Sequence, residues 1–195
     1  MSEAPSIRLV QQSDYQFAIY YNEERDPIYG DEPPPLGRSQ GATPSQFLLA
    51  GVANCLSDSL LFALRKFKQN PEPIETKASC EIGRNAENRL RILSIQVEIR
   101  IGVPGGSLEN LDRVLAQFQD FCTVSSSVSL GIPVNVTVID SENTKLYPAS
   151  WVIWVYEKKK PQNLIPAAFV FPESWIEADY SSSRRRCGNK ITSRI

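Results

Sequence analysis

At 195 residues, 42% of them hydrophobic, the chain is long enough to bury a real core without disulfide staples. A net charge of −1 argues against an electrostatic nucleic-acid binder. Four cysteines and no histidine exclude a Ser-His-Asp or Cys-His nucleophile and any histidine-bearing zinc site, which leaves general acid–base work to Asp, Glu, Lys, Tyr or thiols.

Ile7 to Gln12, Ser13-Asp14 and Tyr15 to Tyr21 read as a β-hairpin, with Tyr15, Phe17, Ile19 and Tyr21 on one face. Residues 22–42, acidic and holding Pro33-Pro34-Pro35, read as a long exposed connection of a kind that often carries function. Thr43 caps a helix that opens on Pro44 and runs to about Lys68. Leu48, Val52, Cys55, Leu56, Ser59, Ala63 and Phe67 recur along it at three- and four-residue spacing, so Cys55 falls within the apolar sector. A short strand follows from Lys77 to Ile82, with Ala78, Cys80 and Ile82 on one side. A second alternates Leu93, Ile95, Val97, Ile99 and Ile101 inward against Ser94, Gln96, Glu98 and Arg100 outward, and Asn85 to Arg89 turns the pair into a hairpin. Pro104-Gly105-Gly106 breaks the second strand. Ser107 caps a further helix with Leu108, Leu111, Val114, Phe118 and Phe121 on its stripe. After Cys122 comes a helical turn from Thr123 to Leu130, stopped by Gly131 and Pro133, then a last strand through Val134, Val136 and Val138. The order is ββ-α-ββ-α-α-β, an α+β class.

Charge divides the chain near Asp140. Residues 1–141 carry 12 basic and 17 acidic side chains; residues 142–195 carry 9 and 5, together with all three tryptophans. The expectation is one domain over 1–141 and a C-terminal extension over 142–195. No apolar run is read as reaching the roughly 20 residues a membrane span needs, and the N-terminus has neither the basic nor the apolar region of a signal peptide. A cytoplasmic protein with reduced thiols and no membrane or nucleic-acid partner is therefore expected.

No Cys-x-x-Cys pair points to metal, and a cysteine on an apolar helix face is ordinarily an inert small hydrophobe. Cys80 reads as core, and Cys187, beside Arg184-Arg185-Arg186, as part of the tail. Two stretches, however, resemble the signature of the OsmC/Ohr family of osmotically inducible and organic-hydroperoxide-resistance proteins. One is TPSQFLLAGVANCLSDSLLFALRKF, residues 43–67; the other is FCTVSSSVSLGIPVNVTVID, residues 121–140. The first is similar to the family's Pro-opened long helix bearing a cysteine. The second is similar to its second cysteine segment, which leads through a Gly-Ile-Pro turn into the last strand. The likeness covers about residues 5–141.

The resemblance implies an OsmC-like fold in an intertwined homodimer with active sites at the subunit interface. It also implies a thiol peroxidase that needs no cofactor: Cys55 as peroxidatic thiolate attacking an organic hydroperoxide, Cys122 as resolving thiol, and an external thiol as reductant. In the family an N-terminal arginine, held by a glutamate early in the long helix, activates the first cysteine. Here Arg38 is preferred over Arg8 and Arg25 for that role, Ser45 stands where the glutamate would be, and Thr123 replaces the proline after the second cysteine. Helix geometry puts Cys55 beyond the reach of the N-terminal dipole and of Arg65 and Lys66, so the charge must come from another segment. The alternative is an OsmC-like domain that binds an apolar ligand or partner, with both cysteines as passive core thiols; Ser45 is the feature that favours it.

Overall fold

The computed structural model describes residues 4–148, a mixed α+β structure of two sheets and one long helix with shorter helical pieces beside it. Trp151, Trp154, Trp175, Cys187 and the rest of 149–195 lie outside the described residues. β1 (Arg8–Ser13) and β2 (Gln16–Tyr20) form the expected hairpin, and β3 (Ile28–Gly30) adds to β2 to make a three-stranded antiparallel sheet. β3 lies within the stretch expected to be a plain connection, and three residues are too few to display an alternating pattern. The remainder of that connection is organised by Asp31. Its buried carboxylate accepts the backbone N–H groups of Glu32, Arg38 and Gln40 at 2.8, 3.1 and 2.9 Å. Gly37 permits this closeness, since a Cβ there would collide with the Asp31 carboxylate and the Glu32 carbonyl.

α1 spans Pro44–Lys66 and starts as its sequence dictates. The Thr43 hydroxyl accepts the Gln46 N–H, the Gln46 side chain accepts the Thr43 N–H at 2.8 Å, and Pro44 fills the first position, where no N–H is needed. The helix ends two residues before the expected Lys68. Lys68 takes a left-handed conformation (φ 59°), and the N–H groups of Lys68 and Gln69 close back on the carbonyls of Arg65 and Leu64. Contrary to the sequence expectation, α1 is apolar and long enough to cross a membrane by length and composition, with a mean hydropathy of 1.8 over its most apolar window. Its stripe of Val52, Leu56, Leu60, Ala63 and Leu64 is instead buried in the core.

The second sheet supplies the other wall. β4 (Ile74–Arg84), β5 (Leu90–Ile101), β6 (Val134–Ile139) and β7 (Lys145–Tyr147) lie in that order, with β5 and β6 parallel and the outer pairings antiparallel. Ile95, Val97, Ile99 and Ile101 of β5 and Val136 and Val138 of β6 pack with the α1 stripe and with Val114, Leu115 and Phe118. The Ser57 and Thr76 hydroxyls, 2.6 Å apart, add a polar tie between α1 and β4.

Three expectations change here. Leu93 does not continue the inward row. The β4–β5 register shifts so that Ser94 opposes Glu81 and Ile92 opposes Ile82, which leaves Leu93 as the extra residue of a bulge. Ile92 packs on the core in its place, and Ile82 is 55% exposed. The single helix expected from Ser107 is three pieces: a 3-10 turn at Gly105–Ser107, α2 at Leu111–Leu115 and a 3-10 turn at Phe118–Phe121. Asn110 in the left-handed region (φ 57°) interrupts the first turn, and the Ser107 hydroxyl folds back on the Pro104 carbonyl instead of capping a helix. Finally, the sheet continues through β7. The turn into it is built on buried Asp140, whose carboxylate accepts the N–H groups of Gly105, Glu142 and Thr144 at 2.9, 2.9 and 2.7 Å.

Candidate active site

Cys55 sits midway along α1 at the rim of the buried stripe, between Val52 and Leu56 and the half-exposed side of the helix. Its thiol is half-buried. Cys122 lies between the second 3-10 turn and α3 (Thr123–Val128), where it is the N-cap residue and fully buried. Its own N–H bonds to the Gln119 carbonyl and its carbonyl accepts the Ser126 N–H, both at 3.0 Å, so the backbone on either side holds it in place. The two elements pack so that the sulfurs meet. The Cys122 thiol donates to the Cys55 sulfur at 2.7 Å, and both cysteines are free. A disulfide needs about 2.05 Å, so the pair must close by less than an ångström.

Burial pushes the Cys55 thiol above its ordinary pKa, and its pairing with Cys122 adds to this, because two sulfurs in one site disfavour charge. The backbone N–H groups of Val124 and Ser125, in the first turn of α3, pull the other way. The short helix that carries Cys122 thus also aims two donors at the Cys55 sulfur. Sequence reasoning did not find these donors, since amides carry no side-chain signal.

No cation acts on Cys55 among the described residues. The Arg38 guanidinium faces Asp14 in the β1–β2 turn at 3.4 Å and is largely exposed. Arg8 pairs with Glu23 at 3.0 Å and lies over the Tyr20 ring. Arg25 belongs to the turn after β2, its backbone N–H on the Asn22 carbonyl. Ser45 bonds its hydroxyl to that of Thr43 within the helix cap. The structure therefore brings Cys55 and Cys122 together and places Arg38 elsewhere. Cys80 is half-buried and packs on the core. A recess of about 340 Å³ on the sheet face turned away from α1 is lined by Lys77, Ser79, Gln96, Glu98, Asn135 and Thr137, with no thiol of the described residues in its lining.

The OsmC-like protein family model matches residues 37–137, a stretch that includes both cysteines. Among solved structures the chain is similar to an OsmC-like protein of unknown function from Vibrio cholerae, at 16% identity and a TM-score of 0.60, covering 71% of this chain and all of that one. It is also similar to an OsmC-like protein from Mycoplasma pneumoniae, at 17% identity and a TM-score of 0.58, covering 72% and 99% of the two chains. A third is the organic hydroperoxide resistance protein OhrB of Bacillus subtilis, at 15% identity and a TM-score of 0.51, covering 70% and 98%. At these identities the likeness is one of fold. No curated protein matches the chain.

Proposed function

The chain belongs to the OsmC-like protein family, and from that premise we propose that it is a thiol-dependent peroxidase reducing organic hydroperoxides through Cys55 and Cys122. The observation that carries this reading is the contact of two free thiols at 2.7 Å with unequal burial. The half-buried sulfur, Cys55, is open to a peroxide, whereas the buried one, Cys122, is open only to Cys55. Organic hydroperoxide resistance proteins among the structural neighbours support the same direction.

The Cys55 thiolate attacks the terminal oxygen of the hydroperoxide. An S–O bond forms as the O–O bond breaks, and the departing alkoxide takes a proton from water to leave as an alcohol. Cys55 is then a sulfenic acid. The Cys122 sulfur displaces its hydroxyl, which leaves as water with the Cys122 proton, and the two cysteines are joined as a disulfide. Two equivalents of an external thiol restore both cysteines and are themselves oxidised to a disulfide. The Val124 and Ser125 N–H groups remain as donors to Cys55 while it is charged. Arg38 is the proposed activating cation, and to act it must exchange Asp14 for the sulfur. The protein is further proposed to be a cytoplasmic homodimer serving defence against oxidative stress.

A second reading has one observation in its favour. With its thiol pushed up and no cation beside it, Cys55 is a slow nucleophile in the chain by itself, as expected of a ligand-binding relative with passive thiols. Trapping separates the two. Cys122→Ser treated with one equivalent of cumene hydroperoxide and then dimedone is expected to carry the sulfenic adduct on Cys55 alone. Absence of any adduct, with the peroxide unconsumed, would leave the passive reading.

A further inference from the structure

A thiol that reduces a Cys55–Cys122 disulfide has two sulfurs to choose from. Attack on Cys55 expels Cys122, and attack on Cys122 expels Cys55. Exchange proceeds in line, with the entering sulfur opposite the departing one. For Cys122 that approach runs through the interior, because Cys122 is fully buried and belongs to the hydrophobic core. Cys55 is half-buried at the rim of α1. Gly51, one turn earlier on the same side of the helix, is exposed, and a Cβ there would meet no atom within 4 Å. Open space therefore lies on the Cys55 side of the pair. Leaving-group chemistry pulls the other way. The N–H groups of Val124 and Ser125 donate to the Cys55 sulfur and would stabilise it as the departing thiolate. Two hydrogen bonds to a charged sulfur change a rate by roughly a hundredfold together. A sulfur that waits for the core to open loses on the order of ten-thousandfold. Access wins.

We infer that Cys55 is the point of entry for the reductant as well as for the peroxide, and that Cys122 meets no solute at any stage of the cycle. The inference rests on the peroxidase reading above, whose cycle supplies the disulfide. The reductant's thiolate, its proton released to water, bonds to the Cys55 sulfur as the Cys55–Cys122 bond breaks. Cys122 departs with the electron pair and takes up a proton, and the reductant is left joined to Cys55 as a mixed disulfide. A second thiolate then attacks the reductant's own sulfur, which frees the Cys55 thiolate and leaves the two reductant molecules as a disulfide. Oxidant and reductant thus use one opening in turn, and Cys122 serves only as the internal partner.

The test forms the disulfide with diamide, which needs no peroxide, and follows it with a short pulse of excess 2-mercaptoethanol and an acid quench. Peptide mapping by mass spectrometry then locates the adduct and reads Cys80 and Cys187 separately. The 2-mercaptoethanol is expected on Cys55, with Cys122 as a free thiol. An adduct on Cys122, with Cys55 free, overturns the inference. Single variants give the same answer without a trapped intermediate. Bis(2-hydroxyethyl) disulfide should label Cys55 in Cys122→Ser at least about a hundredfold faster than it labels Cys122 in Cys55→Ser, and urea should erase the difference. Equal rates in the two folded variants overturn the inference as well. Cumene hydroperoxide reads the underlying cycle apart from this. If it is reduced while the adduct sits on Cys122, the entry point alone is wrong. If it leaves Cys55 unoxidised while both thiol experiments favour Cys55, the peroxidase reading falls and Cys55 stands as the entry for thiols only.

Discussion

Cys55 is subject to two opposing influences, burial beside a second sulfur and the donated N–H groups of Val124 and Ser125, and the balance lies on the side of the neutral thiol. A raised pKa means that the thiolate is scarce at neutral pH and grows as pH rises. Alkylation of Cys55 by iodoacetamide in the chain as described should therefore accelerate with pH to beyond the ordinary thiol value of about 8.5. An inflection below about 7 would mean that a cation reaches the sulfur. In that event Arg38→Met should abolish the shift if Arg38 is its source. The two buried carboxylates provide a different pH signature. The Gln40 N–H first, with those of Arg38 and Glu32, holds the Asp31 carboxyl below its usual range, and the Gly105 N–H first does the same for Asp140; burial opposes both. Depressed folded values contribute stability that is fully present above the unfolded pKa of about 3.9 and is lost as pH falls through the folded value below it. Asp31→Asn should lower Tm at neutral pH, yet its Tm should fall less than that of the wild type between about pH 5 and about pH 2. Parallel curves would show that ionised Asp31 is not what holds the 31–40 loop.

At the scale of elements, Phe118 and Phe121 make the instructive pair. The stripe expected of one continuous helix held both, but the structure buries only the first. Phe118 is fully buried, its ring edge-on to Tyr147 at 5.8 Å, while Phe121 faces out. Phe118→Ala should cost about 3–5 kcal/mol of unfolding free energy. Phe121→Ala should stay within about 0.5 kcal/mol, as measured by denaturant unfolding. Equal losses would restore the continuous helix. What was legible in the sequence follows the same logic. α1 and β5 have long, regular periods and explicit stop and start residues, so their apolar positions report their packing. The meeting of Cys55 and Cys122 was implied by the resemblance to a family, not by any local pattern. β3 and β7 are too short to show a period, and the Leu93 bulge reverses the pleat with no marker in the residues. Asp31 and Asp140 read as surface charges because their partners are amides from distant positions.

Across the whole molecule, the three-stranded sheet has a conspicuous imbalance. Leu9, Ile19 and Ile28 are directly opposed across its three strands, yet Leu9 is 51% and Ile28 44% exposed. A second copy of the chain covering this row would account for it, in keeping with the proposed homodimer. The wild-type protein should sediment as a dimer, and Leu9→Glu with Ile28→Glu should shift it to monomer. Sedimentation of the wild type as a monomer at high concentration would remove the dimer from the account.

The central claim is that two adjacent thiols form one redox unit, and the most direct test is stopped-flow mixing of the reduced protein with one equivalent of cumene hydroperoxide, followed by disulfide mapping by mass spectrometry. The account predicts a rapid phase that consumes the peroxide and yields a Cys55–Cys122 disulfide, lost in Cys55→Ser. Survival of both thiols through minutes of exposure would contradict it.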